Sequence, residues 1–406
     1  MKQKQIINKE WDEIFYKYQD NCNLSNYAFP LYLFTTRLYD ELEQNGCKDV
    51  LFMSREGQFL KVLFDKYCSL RKELGKKTYS IDTHYFYGSR NSIMKASVKP
   101  IEEEDFKFLF RFFSFMSAKS FMFSIGFSNE QIDEVKQNFN RKIDKTFLNF
   151  KSSKTFKLLK QNETFVKIYN ENRNQQSKSF GGYVDSFKIN CKKDGLTFVD
   201  IGYHGTMQDL ISKYFKAEFP IKGYFIKSRA KQFKNNNKKG LLSDNIDKKL
   251  FGGKINKYDA FNYEQILRAN HGRCLGYKID GNIAHEVIDT KSDDKQVYDK
   301  YVADVQNKIL EKFEQIARKS LAQDEDISTI CVIYYYNTVK HKTKSDYKWL
   351  IDMQDNHHDD FGFVGYPGRM FARTLRKIVF KTRDKIFVLK NACYIRRLKK
   401  KLNKNK

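Results

Sequence analysis

"GLTFVDIGYHGTMQDLISKYF", residues 195–215, decides how the chain is read. Leu196, Thr197, Phe198 and Val199 form an apolar, partly β-branched run that ends in an acid, Asp200. Gly202, Tyr203, His204, Gly205 and Thr206 follow as a polar turn, and Met207, Leu210, Ile211 and Tyr214 then recur at helical spacing. The period changes from that of a buried strand to that of an amphipathic helix across one glycine-bearing turn. A helix start carries unpaired N–H groups and partial positive charge, and glycines let an anion approach the backbone, so the turn has the form of a phosphate seat. It matches neither the Walker loop nor the dinucleotide fingerprint, and a plain tight βα turn is the competing reading.

The same unit occurs twice more. "KDVLFMSREGQFLKVLFDKYC" gives a strand at Val50–Met53, a turn of Ser54, Arg55, Glu56 and Gly57, and a helix from Gln58. "THYFYGSRNSI" gives an aromatic strand over 84–87 that ends in Gly88, Ser89, Arg90 and Asn91. A further strand is expected at 222–230, a polar loop at 230–240, a hairpin tipped by Asp280-Gly281, and a helix over 295–323. "ISTICVIYYY", residues 327–336, fits a strand or a buried helix equally. Residues 7–45 and most of 100–180 read as helical. Alternating strands and helices predict an α/β fold on a mainly parallel sheet with Rossmann-like crossovers and a helical insertion around 100–180. Ligands of such sheets bind beyond the carboxyl ends of the strands. If the three turns are neighbours, one crevice collects Arg55, Glu56, Arg90, Asn91, Asp200, His204 and Thr206.

The chain has 406 residues, 16% aromatics and a formal charge of +26, which predicts an anionic partner. Seven scattered cysteines without a CxxC pair point away from a disulfide framework or zinc site and toward a reducing compartment. The opening residues lack an apolar leader segment, and no run approaches the ~20 apolar residues of a membrane span. The expected location is cytoplasmic.

Arginines suit phosphate oxygens because guanidinium binds them bidentately, which nominates Arg55 and Arg90. Glu56 could serve as general base on an acceptor hydroxyl, or simply pair with Arg55 or cap the helix after it. Asp200 could hold sugar hydroxyls, Mg²⁺ or a proton, or cap its own loop. A haloacid-dehalogenase nucleophile would require a second acid two residues on, where Gly202 stands. His204 could donate to a leaving phosphate. Glu264 and His271, in "NYEQILRANHGRCLGY", could reach the cleft from a helix end. His357 and His358, followed by two aspartates, suggest metal ligands or a solvated loop.

Residues 1–368 read as one α/β domain, and 369–406 as a basic helical tail with fifteen Lys or Arg and a single acid, Asp384. Interleaved apolar residues suit a helix lying on an anionic membrane surface; packing on the domain with a solvated basic face is the alternative. No nucleic-acid motif accompanies the charge, so nucleic acid is not the expected partner.

"VLFMSREGQFLKVLFDKY", "YFYGSRNSI", "FVDIGYHGTMQDLI" and "YEQILRANHGRCLGY" together resemble a family encoded in bacterial polysaccharide loci. Its members are often labelled predicted haloacid-dehalogenase hydrolases because many carry such a phosphatase domain in front. The part similar to this chain, over roughly residues 20–290, is the glycan phosphoribosyltransferase module of ribofuranosyltransferases. The resemblance implies transfer of 5-phosphoribosyl from phosphoribosyl pyrophosphate (PRPP) to a glycan, with inversion, during capsule or O-antigen assembly. It implies Gly202–Thr206 on the 5-phosphate, Asp200 on ribose hydroxyls, Arg55 and Arg90 on pyrophosphate, Mg²⁺ as a candidate cofactor, and Glu56 or Glu264 as base. Ser54, Gly57, Ser89, Asn91, Tyr203 and His271 complete the expected binding set. A lipid-linked acceptor at the inner membrane face follows, with the tail as anchor. The chain contains no DxDxT, so a separate phosphatase would have to remove the remaining phosphate. A phosphatase, or a transferase using a sugar nucleotide, is the alternative.

Overall fold

The computed structural model describes residues 9–18, 22–113, 115–228, 238–243, 260–355 and 369–404. Its centre is a five-stranded, wholly parallel sheet in the order β2-β1-β5-β6-β7. These strands are β1 (Asp49–Met53), β2 (Asp82–Phe86), β5 (Leu196–Tyr203), β6 (Ile221–Ser228) and β7 (Lys238–Ser243). Two short antiparallel pairs complete the strands: β3 (Met116–Ser117) with β4 (Thr146–Phe147), and β8 (Cys274–Asp280) with β9 (Ile283–Ile288). The latter is the expected hairpin, with Gly281 at φ +61° in its tip.

The central strands are apolar on both faces because both faces are covered. Val50, Phe52, Val199 and Ile201 face one core, built with the helices Ala28–Gln44, Gly57–Glu73, Ala303–Gln323 and Ser328–Lys340. Leu51, Met53, Leu196 and Phe198 face the other, built with Arg90–Ser97, Glu163–Asp185 and Thr206–Tyr214. This period-2 partition lets a strand of continuous apolar sequence serve two cores. The 100–180 region is helical as expected, apart from the β3–β4 pair, and its phenylalanines extend the second core.

Residues 327–336 resolve as helix, within Ser328–Lys340, because the segment is buried nearly all round and so shows no amphipathic period. Of the expected loop at 230–240, the last three residues require correction, since they open an edge strand, Lys238–Ser243. Residues 229–237 lie outside the described set, as do His357 and His358. The expected helix over 295–323 is broken by a wider turn at Tyr298–Val302. The C-terminal helix runs Arg369–Lys404 and contributes the buried Ile395 to the first core.

The chain passes from β1 to β2 on one side, and β5 pairs on the other side of β1, after which β6 and β7 continue outward. The order therefore reverses between β1 and β5, where the two carboxyl ends diverge and leave a crevice.

Candidate functional site

At that reversal the ends of β1, β2 and β5 meet. One cleft of about 220 Å³ is lined by Ser54, Arg55, Glu56, Gly88, Ser89, Arg90, Asp200–Met207, Glu264, Arg273 and Cys274. Residues scattered over more than two hundred positions are brought together because β2, β1 and β5 are adjacent.

The turns are shaped by short backbone constraints. Ser54 fastens β1 to β2: its Oγ donates to the Gly88 carbonyl at 2.7 Å and accepts the Gly88 N–H at 2.9 Å. Ser89 Oγ donates to the Cys274 carbonyl at 2.8 Å and caps the helix Arg90–Ser97 through the Ser92 N–H at 3.0 Å. Both serines line the cleft, but their hydroxyls are engaged in holding it together. Gly202 sits at φ +117°, and a Cβ there would lie 2.0 Å from the Lys227 carbonyl oxygen of β6. No side chain fits, so the carboxylate a haloacid-dehalogenase pair would need at this position is sterically excluded.

Two helices open onto the cleft without a side-chain cap. Gly57–Glu73 starts after Glu56, and Thr206–Tyr214 starts after Gly205, which is left-handed at φ +64°. Their first N–H groups have no intrahelical acceptor and carry the positive end of each helix dipole. Lys238 supports the second start from the edge strand. Its ammonium donates to the Gly205 carbonyl at 2.9 Å and pairs with Asp209. Burial lowers its pKa, with Asp209 partly opposing.

The charges are arranged around one buried acid. Asp200 is 5% exposed, and its Oδ1 accepts the Ile201 N–H at 2.7 Å. Burial and then the Glu56 charge push its carboxyl up to about 8, against the pull of the Ile201 and Gly202 N–H groups and Arg90. Asp200 is therefore mostly protonated at neutral pH and is the wrong group for a base there. Glu56 Oε2 accepts the Arg55 N–H at 3.2 Å.

No family model matches the chain, and no curated protein matches it.

Three guanidiniums line it: Arg55, Arg90 and Arg273. Two are held by one loop that follows β9. Arg55 Nη1 donates to Asp294 Oδ1 at 2.8 Å, and Arg273 pairs with Asp289 at 3.4 Å. Arg268, itself 2% exposed, pairs with the same Asp294 oxygen. Burial pushes the Asp294 carboxyl upward, but Arg55 and Arg268 outweigh it and hold the group below its ordinary range. Asp294, Asp289, Arg273, Arg268 and Lys238 are the residues that the sequence reading missed. No local pattern marks an aspartate after a hairpin as the partner of an arginine 239 positions earlier.

Three expected residues are placed differently. Gly57, Asn91 and His271 are not among the lining residues. Gly57 instead lets its helix start close to β1, since a Cβ there would lie 2.7 Å from the Phe52 carbonyl carbon. His271 is tied behind the cleft: Nδ1–H donates to the Gly272 carbonyl and Nε2 accepts the Tyr85 hydroxyl, both at 2.7 Å. Burial lowers its pKa, which favours the neutral ring. It positions Tyr85 and the 270–273 turn.

Among the described residues no three His, Cys, Asp or Glu side chains group as a metal site. Glu56 and Asp200 are the carboxyls whose charges are coupled in the cleft. A protonated Asp200 does not suit Mg²⁺, which binds ionised carboxylates, so Glu56 is the member of the pair that could meet the ion beside water and substrate phosphates.

Proposed function

We propose that the protein is a glycosyltransferase of bacterial surface-polysaccharide assembly that moves 5-phosphoribosyl from PRPP to a glycan hydroxyl with inversion. The observation that carries this reading is the convergence of three arginines and two uncapped helix starts on one cleft that also contains Glu56, Asp200 and Glu264. A donor with phosphate at one end and pyrophosphate at the other needs two anion seats with a sugar-binding group between them. The Gly202–Thr206 turn serves the 5-phosphate, Arg55, Arg90 and Arg273 the pyrophosphate, and Asp200 the ribose hydroxyls. A protonated Asp200 can both donate to and accept from a sugar hydroxyl.

The glycan hydroxyl attacks the anomeric carbon opposite pyrophosphate. The new C–O bond forms as the anomeric C–O bond to pyrophosphate breaks, and pyrophosphate leaves with the electron pair. Glu56 takes the hydroxyl proton, with Glu264 the second candidate. The cationic lining stabilises the charge that develops on the leaving group. Where Glu56 met Mg²⁺ beside the donor phosphates, the ion would supply further positive charge to them, and Glu264 would be left as the base. Rossmann-like crossovers belong to this reading, as does a peripheral position at the inner membrane face, where a lipid-linked acceptor would be met. A phosphatase acting through Asp200 is disfavoured by the sterically closed position at Gly202.

The test is incubation with PRPP, Mg²⁺ and a synthetic glycan acceptor, followed for pyrophosphate release and a phosphopentosyl mass increase. Turnover with a sugar nucleotide but not PRPP rejects the donor. Phosphate release from PRPP or a phosphosugar without transfer rejects the reaction class.

A further inference from the structure

Over residues 378–400 the C-terminal helix Arg369–Lys404 has two unlike faces, and among the described residues one packs on the body while the other is exposed. Asp384, Val388, Asn391, Ile395 and Leu398 follow a 4-3-4-3 spacing and form the inner face; Asp384, Asn391 and Ile395 are buried, while Val388 and Leu398 pack against the core. They dock on the helices Ser328–Lys340 and Lys344–Asp355. The dock is fixed by polar contacts as well. The Asp384 carboxylate pairs with Lys342 at 3.2 Å and accepts the Tyr347 hydroxyl at 2.8 Å, and the Tyr336 hydroxyl donates to the Val388 carbonyl at 3.3 Å. The segment is therefore a strut with a set orientation on the body.

The outer face differs. Ile378, Val379, Ile386 and Leu389 fall within about 100° of the helical wheel, nearly opposite the docked residues. They are 55%, 42%, 40% and 76% exposed. Lys385, Lys390, Arg396, Arg397 and Lys400 flank this stripe or continue it, and all are at least partly exposed. The single acid of residues 369–404, Asp384, is turned inward.

From this arrangement we infer that the outer face of residues 378–400 lies in the headgroup region of an anionic bilayer and holds the body against it in one orientation. This deepens the peripheral position argued above and rests on that part of the reading. Aliphatic side chains gain from entering the acyl boundary while the surrounding cations meet lipid phosphates, the division of labour of an interfacial helix. A nucleic acid would satisfy the cations but leave the four aliphatic residues in water. A second copy would cover them only by bringing two like-charged stripes together. Among the described residues no helix is long and apolar enough to cross a membrane, so contact along a face is the mode this segment offers.

The experiment uses the full chain and vesicles of phosphatidylcholine with and without one quarter phosphatidylglycerol. The wild type should float with the anionic vesicles, much less with the neutral ones, and should be released by ~0.5 M salt, which shortens the screening length. Ile386→Asp with Leu389→Asp should lower the vesicle partition at least tenfold and leave the melting temperature unchanged, because both positions face water. Leu148→Asp, at a residue 82% exposed elsewhere, should float like the wild type. Equal flotation of the double variant and the wild type would overturn the inference, as would failure of the wild type to bind anionic vesicles. So would an RNA shift or a dimer in sedimentation that the double variant abolishes, because each assigns the stripe to another occupant. Turnover on a short soluble acceptor should be the same in the double variant and the wild type. Loss of PRPP turnover in a wild type that still floats strikes the transfer reading and leaves this one standing.

Discussion

Asp200→Asn should make the protein more stable near neutral pH while abolishing its activity. The folded carboxyl titrates at about 8, against a reference of 3.8, because it is buried and then because Glu56 is near. A raised folded value means that the native state holds a proton the unfolded chain has released. Stability from this group is thus fully present below the unfolded value near 4 and is lost as pH rises through the folded value near 8. At about 1.36 kcal/mol per pH unit, the three or so units between 3.8 and pH 7 set a ceiling of about 4 kcal/mol on the penalty that Asn removes. Asn keeps an oxygen for the Ile201 N–H but adds amide donors that need partners, at a cost of about 1–3 kcal/mol. The net expectation is a gain of about 1–3 kcal/mol at pH 7, a few degrees in melting temperature, which shrinks as pH falls and reverses to a deficit of about 1–3 kcal/mol by about pH 4, where only the amide cost is left. The assay is thermal melting of both proteins from pH 4 to 8.5, paired with PRPP turnover. A melting difference that is the same at every pH, or a variant less stable than wild type at pH 7.5, would refute the reasoning. The expected pairing of more stability with less activity marks a residue retained for its chemistry.

Asp294→Asn should destabilise by about 3–5 kcal/mol, because Arg55 and the buried Arg268 lose a shared counter-charge, and calorimetry should show weaker pyrophosphate binding as well. Arg273→Ala should lower the melting temperature by a few degrees, because the largely buried Asp289 loses its counter-charge, and weaken pyrophosphate at least tenfold, as expected for a charge-assisted contact worth about 1.5–3 kcal/mol. Equal affinity in wild type and variant would remove Arg273 from the site. Gly202→Ala should fail to fold or lose more than about 3 kcal/mol by chemical denaturation, since its methyl group would meet the Lys227 carbonyl.

Much of the cleft is legible in the sequence because the central strands β1 and β5, covered on both faces, end abruptly at Met53 and Val199, and the turns that follow are polar and glycine-bearing; the edge strand β2 shows the same polar, glycine-bearing turn after its aromatic end. The adjacency of those strands follows from α/β topology rather than from any single residue. The rest is held by long-range partners that no local pattern announces. Arg273 stands in a stretch that draws attention for Glu264 and His271, yet nothing nearby in sequence tells which turn residue points inward. His271 looks like a cleft group and is instead bonded to Tyr85. β7 is invisible because an edge strand reading "KKGLLS" carries only two consecutive apolar residues and buries a lysine. The helix Ser328–Lys340 is ambiguous for the opposite reason, since a segment apolar on nearly all sides erases its own period.

The pairing of Arg55 with Asp294 has a consequence for biosynthesis. Translation proceeds from the amino end, so the guanidinium leaves the ribosome 239 residues ahead of the carboxylate that neutralises it. The turn after β1 is among the first parts of the sheet to be made, and the loop that sets its charge is among the last. A nascent chain halted before residue 294 can already contain β1, β2, β5 and β6 in sequence, yet it lacks the counter-ion of Arg55. The fixed position of Arg55 at the cleft is thereby set only after Asp294 has been made.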